Sequence, residues 1–261
     1  MGKLIRMDLY RMLKSKSFLI CLLLTAALAM GSAPLSKLLF TVLNSLSPDP
    51  SRTFDAEVSL SGMIRDPFPM LGLMLALLSL CWFFYADVEN GYIKNIAGQM
   101  PMKGFTILSK FAAAFVHNLI FVAVSILGSV IGSLIVQRVV VDSNVLDSIR
   151  VLALKVLLIQ SLSALLLLVV STFRSKSFGM VLAVLFGLGL TPLIYLAINE
   201  GLNSIFGKGI DIAKYMPDTV MNEDPLDTLK ALAAAVVASV VFLFPAIRIF
   251  DRKDVKYPWV I

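Results

Sequence analysis

Long apolar runs alternate with short polar stretches along this chain, and six of the runs stand out: residues 18–40, 67–85, 105–136, 151–173, 178–198 and 229–250. Each supplies about the 20 largely uncharged residues that a helix needs to cross a bilayer. The pattern predicts an all-α integral membrane protein of one domain with six transmembrane helices. The third run is longer than one straight crossing requires, and tilt or an extramembrane extension absorbs the surplus. Ahead of the first run, residues 3–16 set Ile5, Leu9, Met12 and Leu13 near one face and Lys3, Arg11 and Lys14 opposite, with Leu4 and Met7 interrupting the pattern. An amphipathic helix at the membrane surface is expected there. Past Pro34, Leu35, Leu38, Leu39, Val42, Leu43 and Leu46 keep helical spacing, so a helix kinked at Pro34 is expected to continue outward.

One polar stretch differs from a simple turn. In residues 87–104, Gly91 breaks the preceding helix, after which Tyr92, Ile93, Ile96 and Met100 recur at helical spacing with Lys94, Asn95 and Gln99 on the other side. A short amphipathic helix between two membrane runs reads as a docking element.

Composition sharpens the class. With 58% hydrophobic and 15% charged residues, the chain is too apolar for an ordinary soluble domain. Charge gives the orientation. With both termini in the cytoplasm, that side collects fourteen of the 23 basic residues, whereas twelve of the 17 acids lie outside. Asymmetry of Lys and Arg over short loops is the discriminating signal, so the basic character reflects sidedness and nucleic-acid binding is an unnecessary reading. A cleaved leader ending near Ala27–Ala29 or Gly31–Ala33 is the competing reading of the first run. Apolar character that resumes after Pro34, and six segments returning the chain to the basic side, argue against it. Cys21 and Cys81 lie inside apolar runs and imply no disulfide.

The remaining stretches read as outer loops. Residues 47–66 contain Pro48 and Pro50, 142–147 is short, and 199–228 carries Glu200, Asp211, Asp218, Glu223, Asp224 and Asp227. Small residues recur at four-residue intervals within the spans: Ser125, Ser129 and Ser133 beside Gly128 and Gly132; Gly179, Ala183 and Gly187; Ala231, Ala235 and Ser239. They let helix backbones approach closely where van der Waals packing replaces the hydrophobic drive. Packing within one subunit is the favoured use, with a subunit interface as the alternative.

Catalytic chemistry is hard to find. His117 is the one histidine, which excludes histidine-rich metal sites, and with Asn118 and Gln160 it reads as hydrogen-bonding glue between helices. Neither a G-x-S-x-G elbow nor an H-E-x-x-H motif occurs. The span centres lack Asp, Glu, Lys and Arg, which lowers the standing of ion-coupled carriers. Lys155, Lys230 and Arg248 fall near helix ends, where long side chains snorkel to the interface. Around Gly207, Lys208 and Gly209 the spacing is wrong for a phosphate-cradling loop. No enzyme activity is expected of this chain.

Six spans, a basic interfacial N-terminal helix, and the series Glu89, Gly91, Tyr92, Ile93, Lys94, Ile96, Pro101, then Lys110 entering the third span, resemble the permease subunits of type-two ATP-binding-cassette (ABC) transporters. The resemblance covers essentially the whole chain and is sharpest over residues 87–110. It implies that residues 87–104 form the coupling helix that inserts into an ATPase, with Glu89, Gly91, Tyr92, Ile93, Lys94, Ile96, Pro101 and Lys103 as its contact residues. Where the family commonly has arginine three residues after the proline, this chain has Gly104, and Lys103 is the nearest positive charge. A weaker contact is implied at Arg174 and Lys176, and helices capping the pathway within residues 199–226. The resemblance also implies two ATPase partners that hold ATP and Mg, a second permease copy or paralogue, and a multi-pass place in a bacterial plasma membrane. The expected function is export of an amphipathic substrate, with a peptide such as an antimicrobial peptide as one candidate. An ion-coupled secondary transporter and a non-transporting membrane scaffold or assembly factor are the alternatives.

Overall fold

The computed structural model describes residues 1–46, 57–68, 71–89, 104–206, 209, 211–223 and 227–252. In order, the helices are α1 (Gly2–Lys14), α2 (Lys16–Leu46), α3 (Leu60–Arg65), α4 (Gly72–Glu89), α5 (Phe105–Val136), α6 (Val145–Phe173), α7 (Lys176–Gly187), α8 (Thr191–Phe206), α9 (Pro217–Met221) and α10 (Thr228–Arg252). Strands β1 (Glu57–Ser59) and β2 (Arg138–Val140) pair in parallel, with Glu57 opposite Arg138. The protein is a multi-pass, almost wholly α-helical membrane protein. Four helices, α2, α5, α6 and α10, are long and apolar enough to cross a bilayer, and the bent pair α7–α8 makes a fifth if it counts as one span. The apolar helix in the place of the second expected span, α4, has 18 residues.

Local chemistry explains the breaks. Ser15 leaves α1 in an extended conformation, and its hydroxyl accepts from Phe18 N–H at 3.2 Å, so one serine ends α1 and caps α2. Ser59 caps α3 by accepting from Gly62 N–H at 3.2 Å. At the end of α6, Arg174 adopts φ 49°, and its N–H reaches the Val170 carbonyl at 2.9 Å, a left-handed cap that turns the chain into α7.

The fifth span was expected as one helix over residues 178–198. It is two helices bent by 102°. Gly189 sits at φ +66°, a conformation costly for any residue with a side chain, and Pro192 lies in the first turn of α8, where a missing N–H does no harm. The first span continues outward to Leu46, as its helical spacing past Pro34 indicates. It forms one helix, Lys16–Leu46, through Pro34.

Helices α2 and α5 run side by side in parallel. Asp8 meets Ser109, Phe18 meets His117 and Phe121, and Met30 meets Gly132, a nearly constant offset of about 100 residues. Pro34 lacks the N–H that the Met30 carbonyl would accept within the helix. That carbonyl sits at Gly132, where an added Cβ would collide with it. Gly128 repeats the approach one turn earlier, with a Cβ position 2.9 Å from Ala29 and 3.1 Å from the Ala26 carbonyl. Gly187 lies against Met74, Gly179 against Val170 and Cys81, and Ala183 is fully buried, so all five small positions sit at contacts between helices of one subunit. Ala231 and Ala235 pack with Leu154 and Leu158 of α6.

Candidate functional site

The buried face of α1 is Leu4, Asp8 and Met12, successive at four-residue spacing. It differs from the face expected from Ile5, Leu9, Met12 and Leu13: Leu4, an interruption in the pattern, is buried, and Leu13 is exposed. The face turns inward because Asp8 has partners. Ser109 of α5 donates its hydroxyl to Asp8 Oδ2 at 2.5 Å. Next to it, Arg11 Nη2 lies 2.5 Å from Asp87 Oδ1, and Lys110 Nζ lies 3.0 Å from Asp87 Oδ2. Lys110 also donates to the Phe83 carbonyl at 3.1 Å and stands over the Phe83 ring at 4.6 Å from its centroid. Asp8, Asp87 and Lys110 are at most 4% exposed.

This knot joins three segments, and its signs balance. Two carboxylates face two cations, and both cations lie near the C-terminal end of α4, where a helix dipole favours positive charge. Burial raises the Asp8 carboxyl above its ordinary value and Asp87 adds to this, while the Ser109 hydroxyl, Lys110 and Arg11 oppose it. A buried pair contributes little net stability over an apolar replacement, but removing one partner strands the other charge at a cost of about 3–5 kcal/mol. The knot therefore specifies an arrangement more than it adds stability.

Two further ties surround the same place. Glu89, at the end of α4, pairs with Lys176, at the start of α7, at 3.4 Å. Gly104 N–H donates to Asp251 Oδ1 of α10 at 2.7 Å. A Cβ at Gly104 would stand 2.7 Å from Ile247 Cγ2 and 3.0 Å from Asp251 Oδ2. The close passage of α10 thus leaves no room for a side chain at Gly104. Of the expected coupling residues, Glu89 is described, and it meets Lys176 of the expected second contact. Gly91, Tyr92, Ile93, Lys94, Ile96, Pro101 and Lys103 lie outside the described residues.

Deeper in the bundle is a second polar seam. His117 Nε2 and Ser79 Oγ are 3.1 Å apart, Asn118 Nδ2 donates to Gln160 Oε1 at 2.9 Å and Ser163 Oγ at 3.0 Å, and Gln160 Nε2 donates to the Phe111 carbonyl at 2.8 Å. His117 stacks on Phe121 with centroids 4.3 Å apart. The three amide and imidazole side chains singled out in the sequence thus link α4, α5 and α6.

No family model, curated protein or solved structure matches this chain.

Asp8 and Asp87 were the residues that pattern reading passed over as functional candidates. The available signal was Asp8, the one acid among the five cations of residues 3–16, at four-residue spacing from Leu4 and Met12. Asp218, grouped with the outer-loop acids, is also buried: it accepts from Tyr195 Oη at 2.7 Å and from the Thr191 hydroxyl, fastening α9 to the start of α8.

Proposed function

We propose that this chain is the membrane-spanning permease subunit of an ATP-driven ABC exporter, with six spans and both termini in the cytoplasm. On this reading α4 and the broken pair α7–α8 complete the six, and residues 87–104 are the coupling segment for an ATPase on a separate chain. The observation that carries the reading is the anchoring of both roots of residues 90–103. The α4 root is held to α1 and α5 through Asp87 and to α7 through Glu89; the α5 root is held to α1 through Asp8–Ser109 and to α10 through Gly104–Asp251. A push on that segment reaches the cytoplasmic ends of five helices.

Magnitudes separate the ties. Glu89 and Lys176 are both about half exposed, and such a pair is worth about 0–1 kcal/mol, so it can open during a cycle. The knot at Asp87 is too costly to break and moves as a unit. ATP-driven closure of two ATPases would carry the knot and its helices together, and cargo of amphipathic character, such as a cationic peptide, suits a pathway faced by acidic outer loops.

The decisive experiment is Ile93→Asp in the full chain. Membrane insertion is expected to remain, with loss of ATPase association and of transport. Normal association and transport in that variant would refute the coupling assignment. Copurification of the unaltered protein gives the broader test: a stable Walker-motif ATPase whose turnover responds to this subunit separates a transporter from a scaffold or a carrier.

A further inference from the structure

We propose that the cavity between α3, α6 and the start of α10 is a binding site for a small organic monoanion that presents a carboxylate, with Arg150 as the residue that holds it. One wall is a single face of α6. Asp147, Arg150 and Leu154 succeed one another at helical spacing, with Lys155 beside them. Arg65 and Asp66 at the end of α3, Glu223 after α9 and Thr228 at the start of α10 close the other sides around a volume of about 310 Å³. Leu154 packs with Val220 and Ala231, so the core beneath sets the floor. The volume is at the small end of ligand clefts, roughly 300–1,000 Å³.

Charge decides what fits. Three cations and three carboxylates line the cavity. Arg65 Nη2 lies 2.7 Å from Asp147 Oδ2, Lys155 Nζ lies 2.8 Å from Asp66 Oδ1, and Glu223 is taken by Lys230, which stands outside the lining. Each carboxylate of the lining is thus matched. Arg150 is left over: its guanidinium donates to the Thr228 hydroxyl, and among the described residues no carboxylate pairs with it. The cavity together with Lys230 therefore carries one positive charge in excess, and it is the charge of Arg150.

The form of that charge selects the ligand. A guanidinium carries five N–H donors in a fixed fork, and the Thr228 hydroxyl occupies one of them while steadying the side chain. The remaining edge matches the two oxygens of a planar carboxylate. A phosphate dianion would set its second charge against three carboxylates, with Arg65 and Lys155 already engaged. Val151 and Leu154 add an apolar strip to the α6 wall, which suits the body of an organic molecule over a bare ion. Arg150 is exposed, so a solute reaches it directly. The inference does not rest on the permease reading, since it uses neither the coupling segment nor a second subunit.

Titration of the full chain in neutral detergent micelles with N-acetylalanine labelled at its carboxyl carbon, followed by NMR, tests the site. Saturable binding is expected, about tenfold weaker in Arg150→Gln. Arg138→Gln removes the same charge from β2, outside the cavity, and is expected to leave binding unchanged. N-acetylalanine amide, neutral and of the same shape, is expected not to compete. Thr228→Val removes the hydroxyl that steadies the guanidinium; it gives a second variant where Arg150→Gln folds poorly, and binding severalfold weaker is expected. Absence of saturable binding, equal weakening in Arg138→Gln and Arg150→Gln, binding untouched by Thr228→Val, or competition by the amide would overturn the proposal. Preference for inorganic phosphate or for dihexanoyl phosphatidylglycerol over the carboxylate would overturn it too. No arm involves an ATPase, so failure here is distinct from failure of the coupling segment.

Discussion

The two ends of the helix bundle handle charge in opposite ways. At the end that carries α1, the inner end on the proposed topology, Asp87, Lys110 and Asp8 are withdrawn from water with Arg11 partly exposed beside them, and each carboxylate faces more than one donor. At the other end, the outer one on that topology, the carboxylates of three ion pairs stand largely in solvent: Asp147 with Arg65 at 2.7 Å, Asp66, 85% exposed, with Lys155 at 2.8 Å, and Glu57 with Arg138 at 3.8 Å, while Lys230–Glu223 is partly buried. Coulomb attraction is screened in the second case and expensive to abandon in the first. The inner knot is therefore built to hold one arrangement, and the exposed pairs of the outer end, unlike the buried Asp218, can rearrange cheaply. For the exporter proposed above, that division would set a rigid lever where force enters and compliant pairs where cargo leaves.

Asp87→Ala is the harshest test of the comparison. It strands Arg11 and Lys110 near one another without their shared carboxylate, and a loss of about 3–5 kcal/mol in unfolding free energy is expected from denaturant titration in micelles. A cost under about 1 kcal/mol, the range of an exposed pair, would show that water reaches the knot and would end the contrast. Gly132→Ala comes next. The new Cβ must displace the Met30 carbonyl, so overpacking of about 1–3 kcal/mol is expected, whereas Gly31→Ala, with open space around it, should be close to neutral. Equal thermal shifts for the two would detach α2 from α5 as the paired helices described above.

Much of this was legible, for reasons that differ by position. Membrane helices announce themselves because lipid tolerates few polar side chains, so the exceptions His117, Asn118 and Gln160 could be read as interhelical partners before any geometry was known. Small residues at four-residue spacing were equally readable, since they mark one helix stripe. The knot was not, because its members come from three distant segments and each looks like an ordinary surface charge near a membrane boundary. Pattern reading assigns a charge to water by default, and only tertiary pairing overrides that. The break at Gly189 was missed for another reason: residues 178–198 have unbroken apolar character, and hydropathy has no term for a glycine at positive φ followed by a proline.

Arg65→Ala at the outer end should cost about 0–1 kcal/mol, and Asn118→Ala in the deep seam, roughly 0.6–1.7 kcal/mol, falls between the two ends. The smallest effect is the most discriminating, because acid should act on the two ends with opposite sign. Asp142 accepts from the Ser61 hydroxyl at 2.5 Å and is held below its ordinary value by that bond, with burial opposing. Its folded pKa is depressed, so its contribution is present above about 3.9 and is lost as the pH falls through the folded value. Asp8 is the reverse, raised chiefly by burial. As the pH falls through its raised folded value toward about 3.9, the folded state takes the proton first, and docking of α1 is strengthened. Amide exchange, corrected for its intrinsic pH dependence, should thus slow in α1 within that window while α3 is unchanged, and α3 should loosen only below it. Asp8→Asn is expected to abolish the first response and Ser61→Ala to weaken the second. If both ends instead loosened together from the start of acidification, the pairing of Asp8 with cations would outweigh its burial, and the inner end would be an ordinary solvated ion cluster like the outer one.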